Sequence, residues 1–166
     1  MTTSSPRLAI RTGIGYDSHR FAPGGPLRLG GVAIEADIHL FGHSDGDAVA
    51  HAVTDAILGA AGLDDIGVMF ADTDVANLGR DSIEMLGLAV ARLHAAGWAV
   101  GQVDVVVIAE TPKIAPYRDA MRTRLAAALS IPAADVGLKG KTNEGMGFVG
   151  RGEGIACLAT ATIIAR

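Results

Sequence analysis

Aromatic residues, cysteine and positive charge are all scarce in this chain of 166 residues. Aromatics make up 4% of the sequence, Cys157 is the single cysteine, and the formal net charge is −4. The core must therefore be built mainly from Ala, Val, Leu and Ile. One cysteine cannot form an internal disulfide, and its apolar neighbours indicate a buried thiol and not a nucleophile. The acidic balance argues against a nucleic-acid partner.

The sequence also lacks a long apolar run. No stretch is long and uninterrupted enough to span a bilayer, and the first six residues are polar and too few for a secretion signal. We therefore expect a cytoplasmic protein with no membrane partner. Hydrophobic residues still form 49% of the chain, so a packed core is feasible. The length suits one catalytic domain over 1–166, with 1–6 as a flexible tail.

The order of helical and extended patterns predicts the fold class. Helical spacing of apolar residues occurs over 45–61, from 81 to a closing glycine at 97, and over 116–129. Ser44, with Asp47 three positions later, resembles a cap for the first of these helices. Extended patterns predict a strand over 7–16 that ends in a polar tip at 17–19, a hairpin over 26–34, and strands over 98–109, 136–141 and 155–165.

The segment at 64–79 has no clear period and is predicted to be a loop with room for one helical turn, and 142–154 is predicted to be a glycine-rich loop. The whole order predicts an α/β protein of the α+β type. We expect a single-layer mixed β-sheet with helices packed on one face.

Three residues suggest a metal site. Asp17 and His19 are two apart on an extended segment, so their side chains point the same way. His51 lies on the first helix, away from its apolar stripe. Two histidines and a carboxylate, with a fourth position open, are typical of a catalytic zinc site. The alternative is a chance Asp-x-His pair and an ordinary surface or hydrogen-bonded histidine, and spacing alone does not decide between them.

The glycine-rich loop at 142–154 offers groups that suit a diphosphate. It carries the Thr142 hydroxyl and the Glu144 carboxylate, and cations lie in or just before it. A carboxylate beside phosphates can hold Mg²⁺. The alternative is a flexible turn with solvated charges. The sequence has no Gly-x-Ser-x-Gly elbow and no phosphate-binding G-x-x-x-x-G-K-[ST] loop, so covalent catalysis has no obvious nucleophile.

Five ordered motifs connect these fragments to a known family. They are G-I-G-Y-D-S-H-R-F, H-S-D-G-D-A-V-A-H-A-V-T-D-A-I-L-G-A, D-I-G-V-M-F-A-D-T-D, Q-V-D-V-V-V-I-A-E-T-P-K and T-N-E-G-M-G-F-V-G-R-G-E-G-I-A. Over 11–164 the chain resembles the 2-C-methyl-D-erythritol 2,4-cyclodiphosphate synthases of the non-mevalonate isoprenoid pathway. The resemblance implies that it converts 4-diphosphocytidyl-2-C-methyl-D-erythritol 2-phosphate to the cyclic diphosphate and releases CMP.

The same resemblance implies an assembly and a set of ligands. It implies a homotrimer with active sites at subunit interfaces, Zn²⁺ at Asp17, His19 and His51, and Mg²⁺ or Mn²⁺ at Glu144 with the substrate phosphates. His43 and Thr142 match residues that stabilise the transition state at the phosphates.

Further positions match the family's substrate pockets. The methylerythritol phosphate pocket corresponds to Ser44, Asp65, Ile66, Gly67, Phe70, Ala71, Asp72, Thr73 and Asp74. The nucleotide pocket corresponds to Ala109, Glu110, Thr111, Pro112, Lys113, Ile114, Ala115, Lys141 and Asn143. Phe148 and Arg151 match residues near the centre of the trimer, where a channel can hold an isoprenoid diphosphate.

One position departs from the pattern, because Lys141 stands where the family often has Thr. A cation there either strengthens diphosphate binding or points to solvent. Two other functions stay open. One is a zinc hydrolase that uses the same three ligands to activate water on a nucleotide diphosphate. The other is a non-catalytic module that binds isoprenoid diphosphates.

Overall fold

A computed structural model describes residues 9–166, so the expected tail at 1–6 lies outside the described residues. The strands are β1 (Ile10–Pro23), β2 (Leu27–Leu29), β3 (Val32–Ile34), β4 (Ile38–Leu40), β5 (Trp98–Ile108), β6 (Val136–Lys141) and β7 (Gly154–Ala165). The helices are α1 (Ala48–Ala61), α2 (Ile66–Met69), α3 (Ser82–Ala95), α4 (Arg118–Leu129) and α5 (Gly147–Gly150). Short 3₁₀ turns occur at Val75–Asn77, Ala115–Tyr117 and Ala133–Asp135.

A mixed five-stranded sheet forms the centre of the fold. Its strand order is β4-β1-β7-β5-β6, in which β5 and β6 are parallel and the other neighbours are antiparallel. β2 and β3 form a separate hairpin. The predicted mixed α+β architecture and the predicted hairpin are therefore confirmed.

Two glycines in β1 let α1 lie directly on the sheet. A Cβ atom at Gly15 would stand 1.9 Å from the carbonyl oxygen of Ala52, and one at Gly13 would stand 2.2 Å from that of Ala56. Any side chain at either position would push the helix away. The odd-numbered residues of β1 consequently face α1, which brings Asp17 and His19 under the same helix.

The other face of the sheet carries exposed apolar side chains. On β1 the alternate residues Ile14 and Tyr16 are 65% and 55% exposed. Leu158 and Ile164 of β7 lie on this face and are partly exposed. The buried core lies on the helix side, between the sheet and α1, α3 and α4.

Two local predictions are wrong. β1 does not end in a polar tip at 17–19, since it continues to Pro23 through pairing with β7 and β4. Asp17 and His19 are therefore mid-strand residues. The cap of α1 is Asp47 and not Ser44, because the Asp47 carboxylate accepts hydrogen bonds from the N–H groups of Val49 and Ala50. The predicted loops at 64–79 and 142–154 contain the short helices α2 and α5.

Cys157 is buried, as predicted, and burial raises the pKa of its thiol well above the ordinary value. Among the described residues, none of the helices is long and apolar enough to cross a membrane. The cytoplasmic location stays a prediction.

Candidate active site

Strand β1 and helix α1 bring the three predicted metal ligands together. Nδ1 of His19 lies 2.9 Å from Oδ2 of Asp17, and Nδ1 of His51 lies 3.0 Å from the same oxygen. One ligand atom from each residue falls within 4.8 Å of the other two. Residues 34 positions apart in sequence therefore form one cluster of two imidazoles and a carboxylate. This donor set suits a zinc-type ion.

The protonation of this cluster indicates what an ion must displace. Burial alone would raise the pKa of Asp17, but the neighbouring imidazoles of His19 and His51 outweigh it and lower the pKa to about 2. Burial would lower the pKa of His51, but the hydrogen bond and charge of Asp17 outweigh it and raise the pKa above its ordinary value. An ionised Asp17 and a proton on His51 therefore stabilise each other, and a cation at the cluster would compete with that proton.

An unpartnered nitrogen supports the metal assignment. Nδ1 of His19 is buried and makes no hydrogen bond within residues 9–166, although it lies close to the Asp17 carboxylate. A buried polar atom without a partner is costly, so its place in a ring of metal-type donors needs an explanation. An ion between the three side chains would satisfy it.

A cavity of about 400 Å³ opens beside the cluster. Its lining includes His19, His51 and His43, and Nε2 of His43 is buried without a hydrogen-bond partner in the part of the chain that the structure describes. The residues predicted for the methylerythritol phosphate that line this cavity are Ser44, Ile66, Gly67, Phe70 and Asp72.

Four other residues predicted for this pocket lie in the same segment but not in the lining, and two of them have clear local tasks. The Asp65 carboxylate caps α2 through the N–H of Val68, and the Asp74 carboxylate caps the next turn through the N–H of Ala76. The carbonyl oxygen of Ala71 accepts from the side chain of Asn77. The fourth residue, Thr73, is exposed.

Six of the nine predicted nucleotide residues line a second cavity of about 380 Å³, where β5 and β6 end, whereas Glu110, Thr111 and Asn143 lie outside its lining. Its lining comprises Ala109, Pro112, Lys113, Ile114, Ala115, Arg118, Lys139, Gly140, Lys141 and Thr142. Four cations among these residues suit a phosphate-bearing ligand. Lys141, the departure from the family pattern, lies in the lining.

Glu110 shapes the loop beside this second cavity. Its Oε1 accepts hydrogen bonds from the N–H of Asn143 at 2.9 Å and of Gly145 at 3.3 Å. The loop also places Thr142 next to Glu144, whose Oε1 accepts from the Thr142 hydroxyl at 3.2 Å. Glu144 has a positive φ of 52°. The predicted second metal ligand therefore lies on the nucleotide side and not with Asp17.

Phe148 and Arg151 are at and after α5, on the surface. Phe148 is 40% exposed and borders a shallow depression with Ser18, Arg20 and Glu153. Nε of Arg151 donates to Oε1 of Glu153 at 2.6 Å. This pair keeps the guanidinium next to the depression.

Two cavities on one chain are separated by the width of the sheet. Asp17 pairs with Cys157, Cys157 with Val107, and Val107 with Gly140, so the metal and nucleotide residues share one row across four strands. Three strand spacings amount to roughly 14 Å. The cavities share no lining residue.

Two aspartates near the metal cluster, one at the cap of α1 and one within it, bind backbone N–H groups. Asp47 is fully buried, and its carboxylate accepts from the N–H groups of Gly30 and Gly31 as well as from two in α1. Asp55 accepts from the N–H of Ile66 at 2.8 Å and so ties α2 to α1.

Several residues near the site were not predicted from the sequence. Asn77 and Met85 line the first cavity, Arg118 lines the second, and Ser82 contacts His51. Ser82 follows a helix-capping aspartate, so its sequence context suggests only a helix start. For Arg118, the available sequence signal is its positive charge at the start of α4.

Comparisons with known proteins agree with this geometry. Residues 10–164 match the model of the YgbB family. A relative from Gemmatimonas aurantiaca, 2-C-methyl-D-erythritol 2,4-cyclodiphosphate synthase, is 64% identical over 158 residues, which cover 95% of each chain. The solved IspF of Plasmodium falciparum in complex with CDP has a TM-score of 0.82 at 34% identity, covering 95% of this chain and 97% of its own.

A bifunctional relative shows the same domain within a longer protein. The IspDF structure from Campylobacter jejuni has a TM-score of 0.93 at 39% identity, with 97% of this chain matching 44% of that one. Matches of this extent establish more than a shared fold. The chain belongs to the YgbB family.

Proposed function

We propose that this protein is a 2-C-methyl-D-erythritol 2,4-cyclodiphosphate synthase. Its substrate would be 4-diphosphocytidyl-2-C-methyl-D-erythritol 2-phosphate, and its products the cyclic diphosphate and CMP. The observation that carries the proposal is the cluster of Asp17, His19 and His51 beside a cavity lined by His43. Relatives that carry this enzyme's name match nearly the whole chain.

The reaction exchanges one phosphorus–oxygen bond for another. An oxygen of the 2-phosphate forms a bond to the β-phosphorus, and the bond from that phosphorus to the oxygen it shares with the α-phosphorus breaks. The electron pair leaves with CMP. Since both partners are anions, the protein must align them and offset their charge. Water must stay away from the β-phosphorus, because its attack would give a linear product.

Asp17, His19 and His51 fit a Zn²⁺ ion, and Glu144 fits Mg²⁺ or Mn²⁺ shared with the substrate phosphates. Such ions supply Lewis-acid polarisation and orientation of the phosphate oxygens, with no need of a metal-bound hydroxide. The oxygen ligand of Glu144 and its place beside the cation-lined cavity suit the harder ion. The two imidazoles suit zinc.

His43 and Thr142 act on the phosphates from opposite cavities. The unpartnered Nε2 of His43 is free to donate a hydrogen bond to a phosphate oxygen in the first cavity. The Thr142 hydroxyl lines the second cavity and is within 3.2 Å of Glu144. Ser44, Phe70 and the residues around them hold the methylerythritol phosphate.

The cytidine diphosphate part occupies the second cavity. Ala109 and the segment Pro112 to Ala115 form its wall, and Lys113 and Lys141 offset the diphosphate charge. Glu110 and Asn143 set the shape of the adjoining loop through the hydrogen bond between them. Thr111, which precedes Pro112 of the wall, completes the proposed nucleotide set. Solved structures of related synthases are complexes with CDP, which supports a cytidine diphosphate ligand.

The active site forms between two subunits of a homotrimer. The metal cluster and the nucleotide cavity of one chain lie roughly three strand spacings apart, so a neighbouring chain that sets its nucleotide cavity against this cluster would complete the site. The exposed apolar face with Ile14 and Tyr16 offers a surface for such neighbours. Light scattering tests this assembly, and a mass three times that of the 16.9 kDa chain is expected.

Phe148 and Arg151 line a channel at the centre of the trimer that takes an isoprenoid diphosphate. The exposed ring of Phe148 suits the hydrocarbon, and Arg151 faces the phosphates after exchanging its partner Glu153.

Release of CMP from the cytidylyl substrate tests the proposal. Chelator-treated protein is expected to be inactive, and Zn²⁺ with Mg²⁺ is expected to restore release. Folded, metal-loaded protein that releases no CMP would contradict the proposal.

A further inference from the structure

A chain of hydrogen bonds lies behind His51, on the side of the ring away from Asp17. Nε2 of His51 is 2.9 Å from Oγ of Ser82 and 3.0 Å from Oγ of Ser44. The Ser82 hydroxyl is also in contact with the Asp45 carboxylate. Ser82 is fully buried and Asp45 is half-buried. His51 thus has polar partners on both sides of its ring.

The direction of these hydrogen bonds follows from the atoms. An ionised carboxylate only accepts, so the Ser82 hydroxyl donates its single proton to Asp45. Ser82 can then only accept from His51, which places a hydrogen on Nε2. A neutral imidazole with hydrogen on Nε2 has its lone pair on Nδ1. Nδ1 is the atom that faces Asp17 at 3.0 Å.

Asp45 is itself held in place by backbone groups. Its carboxylate accepts from the N–H of Ser82 at 3.2 Å and from the N–H of Asp47 at 3.2 Å. Its own N–H donates to the carbonyl oxygen of Arg80 at 3.1 Å. The starts of α1 and α3 therefore fix the acceptor that orients the serine.

We propose that Ser82 and Asp45 are positioning residues for the metal site. They hold His51 in the tautomer and ring orientation that leave Nδ1 free for the ion, and they touch neither ion nor substrate. The inference rests on the metal role given to Asp17, His19 and His51 in the proposed function. Ser44 differs from Ser82, because it lines the first cavity and because its partners among the described residues are His51, Ser82 and the N–H of Gly46 and include no carboxylate.

Zinc affinity, measured by competition with a chromogenic chelator, tests this inference without any turnover. Ser82→Ala is expected to weaken zinc binding by about tenfold to a hundredfold, as loss of such outer partners does. Ser82→Thr keeps the hydroxyl and is expected to restore most of the affinity. Asp45→Asn removes the charge that fixes the serine and is expected to weaken binding in the same direction.

Spectroscopy separates positioning from a general loss of structure. In Co²⁺-substituted protein, Ser82→Ala is expected to change the visible absorption, because the ring is held less firmly at the ion. Thr54→Val is the matched control, since it removes another buried hydroxyl, one that bonds only the carbonyl oxygen of Ala50. Its zinc affinity and spectrum are expected to match those of the wild type.

The outcomes separate this inference from the proposed function. Folded Ser82→Ala and Asp45→Asn proteins whose zinc affinities lie within about twofold of the wild type would overturn the positioning role and leave the metal site intact. Wild-type protein that binds no zinc would overturn the metal assignment itself, and the positioning role with it.

Discussion

Nδ1 of His51 lies 3.0 Å from Oδ2 of Asp17, which joins the first turn of α1 to the middle of β1. The contact depends on the absence of side chains at Gly13 and Gly15, because these glycines let the helix lie on the strand. The same oxygen is 2.9 Å from His19. One carboxylate thus organises the site, and its neighbours decide whether a proton or a cation accompanies it.

His51→Ala is expected to abolish zinc binding at the cluster and nearly all turnover, because it removes one of three ligands. The fold is expected to persist, since the removed ring contributes polar contacts and not core packing. Zinc content by elemental analysis and CMP release measure the two effects. His94→Gln on α3 is the control and is expected to keep both. A His51→Ala protein with wild-type zinc content would contradict the ligand assignment.

Stability of the metal-free protein is expected to depend on pH in two directions. The pKa of Asp17 falls from 3.8 to about 2 on folding, so its stabilising contribution is present above about pH 4 and is lost as the pH falls toward 2. The pKa of His51 is raised above 6.5, so its contribution is present below that value and is lost as the pH rises through the folded pKa. Thermal unfolding in the presence of a chelator measures both limbs.

Zinc is expected to reverse the alkaline limb. The ion requires a neutral His51, so the rise in melting temperature on adding zinc is expected to grow with pH through the folded pKa of this residue. The measurement compares melting with and without zinc from about pH 6 to about pH 8. A zinc effect of constant size over this range would contradict the proposed competition between proton and metal.

Asp47→Ala is expected to destabilise the protein by about 3 kcal/mol, because it leaves buried N–H groups without an acceptor. The Asp47 carboxylate accepts from Gly30 and Gly31 as well as from the start of α1. The pKa of Asp47 is raised, because the effect of burial outweighs the opposite effect of these backbone donors. Urea unfolding measures the free energy of unfolding.

Asp81→Ala is the control for Asp47→Ala. Asp81 also caps a helix, through the N–H groups of Ile83 and Glu84, but it is exposed. Its removal is expected to cost about 1 kcal/mol, the usual effect of losing a helix cap. Equal losses of unfolding free energy in the two variants would show that the hydrogen bonds from Gly30 and Gly31 to Asp47 add no stability.

Mixed assemblies of two variants test the proposal that two chains share each active site. His51→Ala impairs only the metal side, and Lys113→Ala only the nucleotide side. Each variant alone is expected to be almost inactive. Dissociation and reassembly of the mixture is expected to restore a fraction of the wild-type activity, because some interfaces combine two intact cavities. A mixture no more active than the separate variants would indicate that each chain carries a complete site.

Much of the fold and part of the site could be predicted from sequence. Side chains alternate along a strand, so Asp17 and His19 were expected to point the same way, and helical spacing placed His51 off the apolar stripe. These are local rules that need no knowledge of strand order. The family motifs then indicated that the strand residues and His51 belong to one site, which spacing alone does not show.

The remaining features depend on tertiary contacts. Ser44 was expected to cap α1, but Asp47 is the cap. The buried Asp47 carboxylate also accepts a hydrogen bond from Gly30 in the hairpin, which fixes it at this position. β1 extends beyond the polar tip predicted for it, because its pairing with β7 continues past His19. Ser82 could not be found from sequence, since its partner His51 lies 31 positions away on another helix.

³¹P NMR of the products formed from 4-diphosphocytidyl-2-C-methyl-D-erythritol 2-phosphate tests the central claim most directly. With Zn²⁺ and Mg²⁺ present, the proposed reaction predicts the signals of CMP and of a cyclic diphosphate, both abolished by a chelator. A linear diphosphate would instead show that water attacks the β-phosphorus and that the protein is a hydrolase. Unchanged substrate in the presence of folded, metal-loaded protein would contradict catalysis and favour a module that only binds diphosphates.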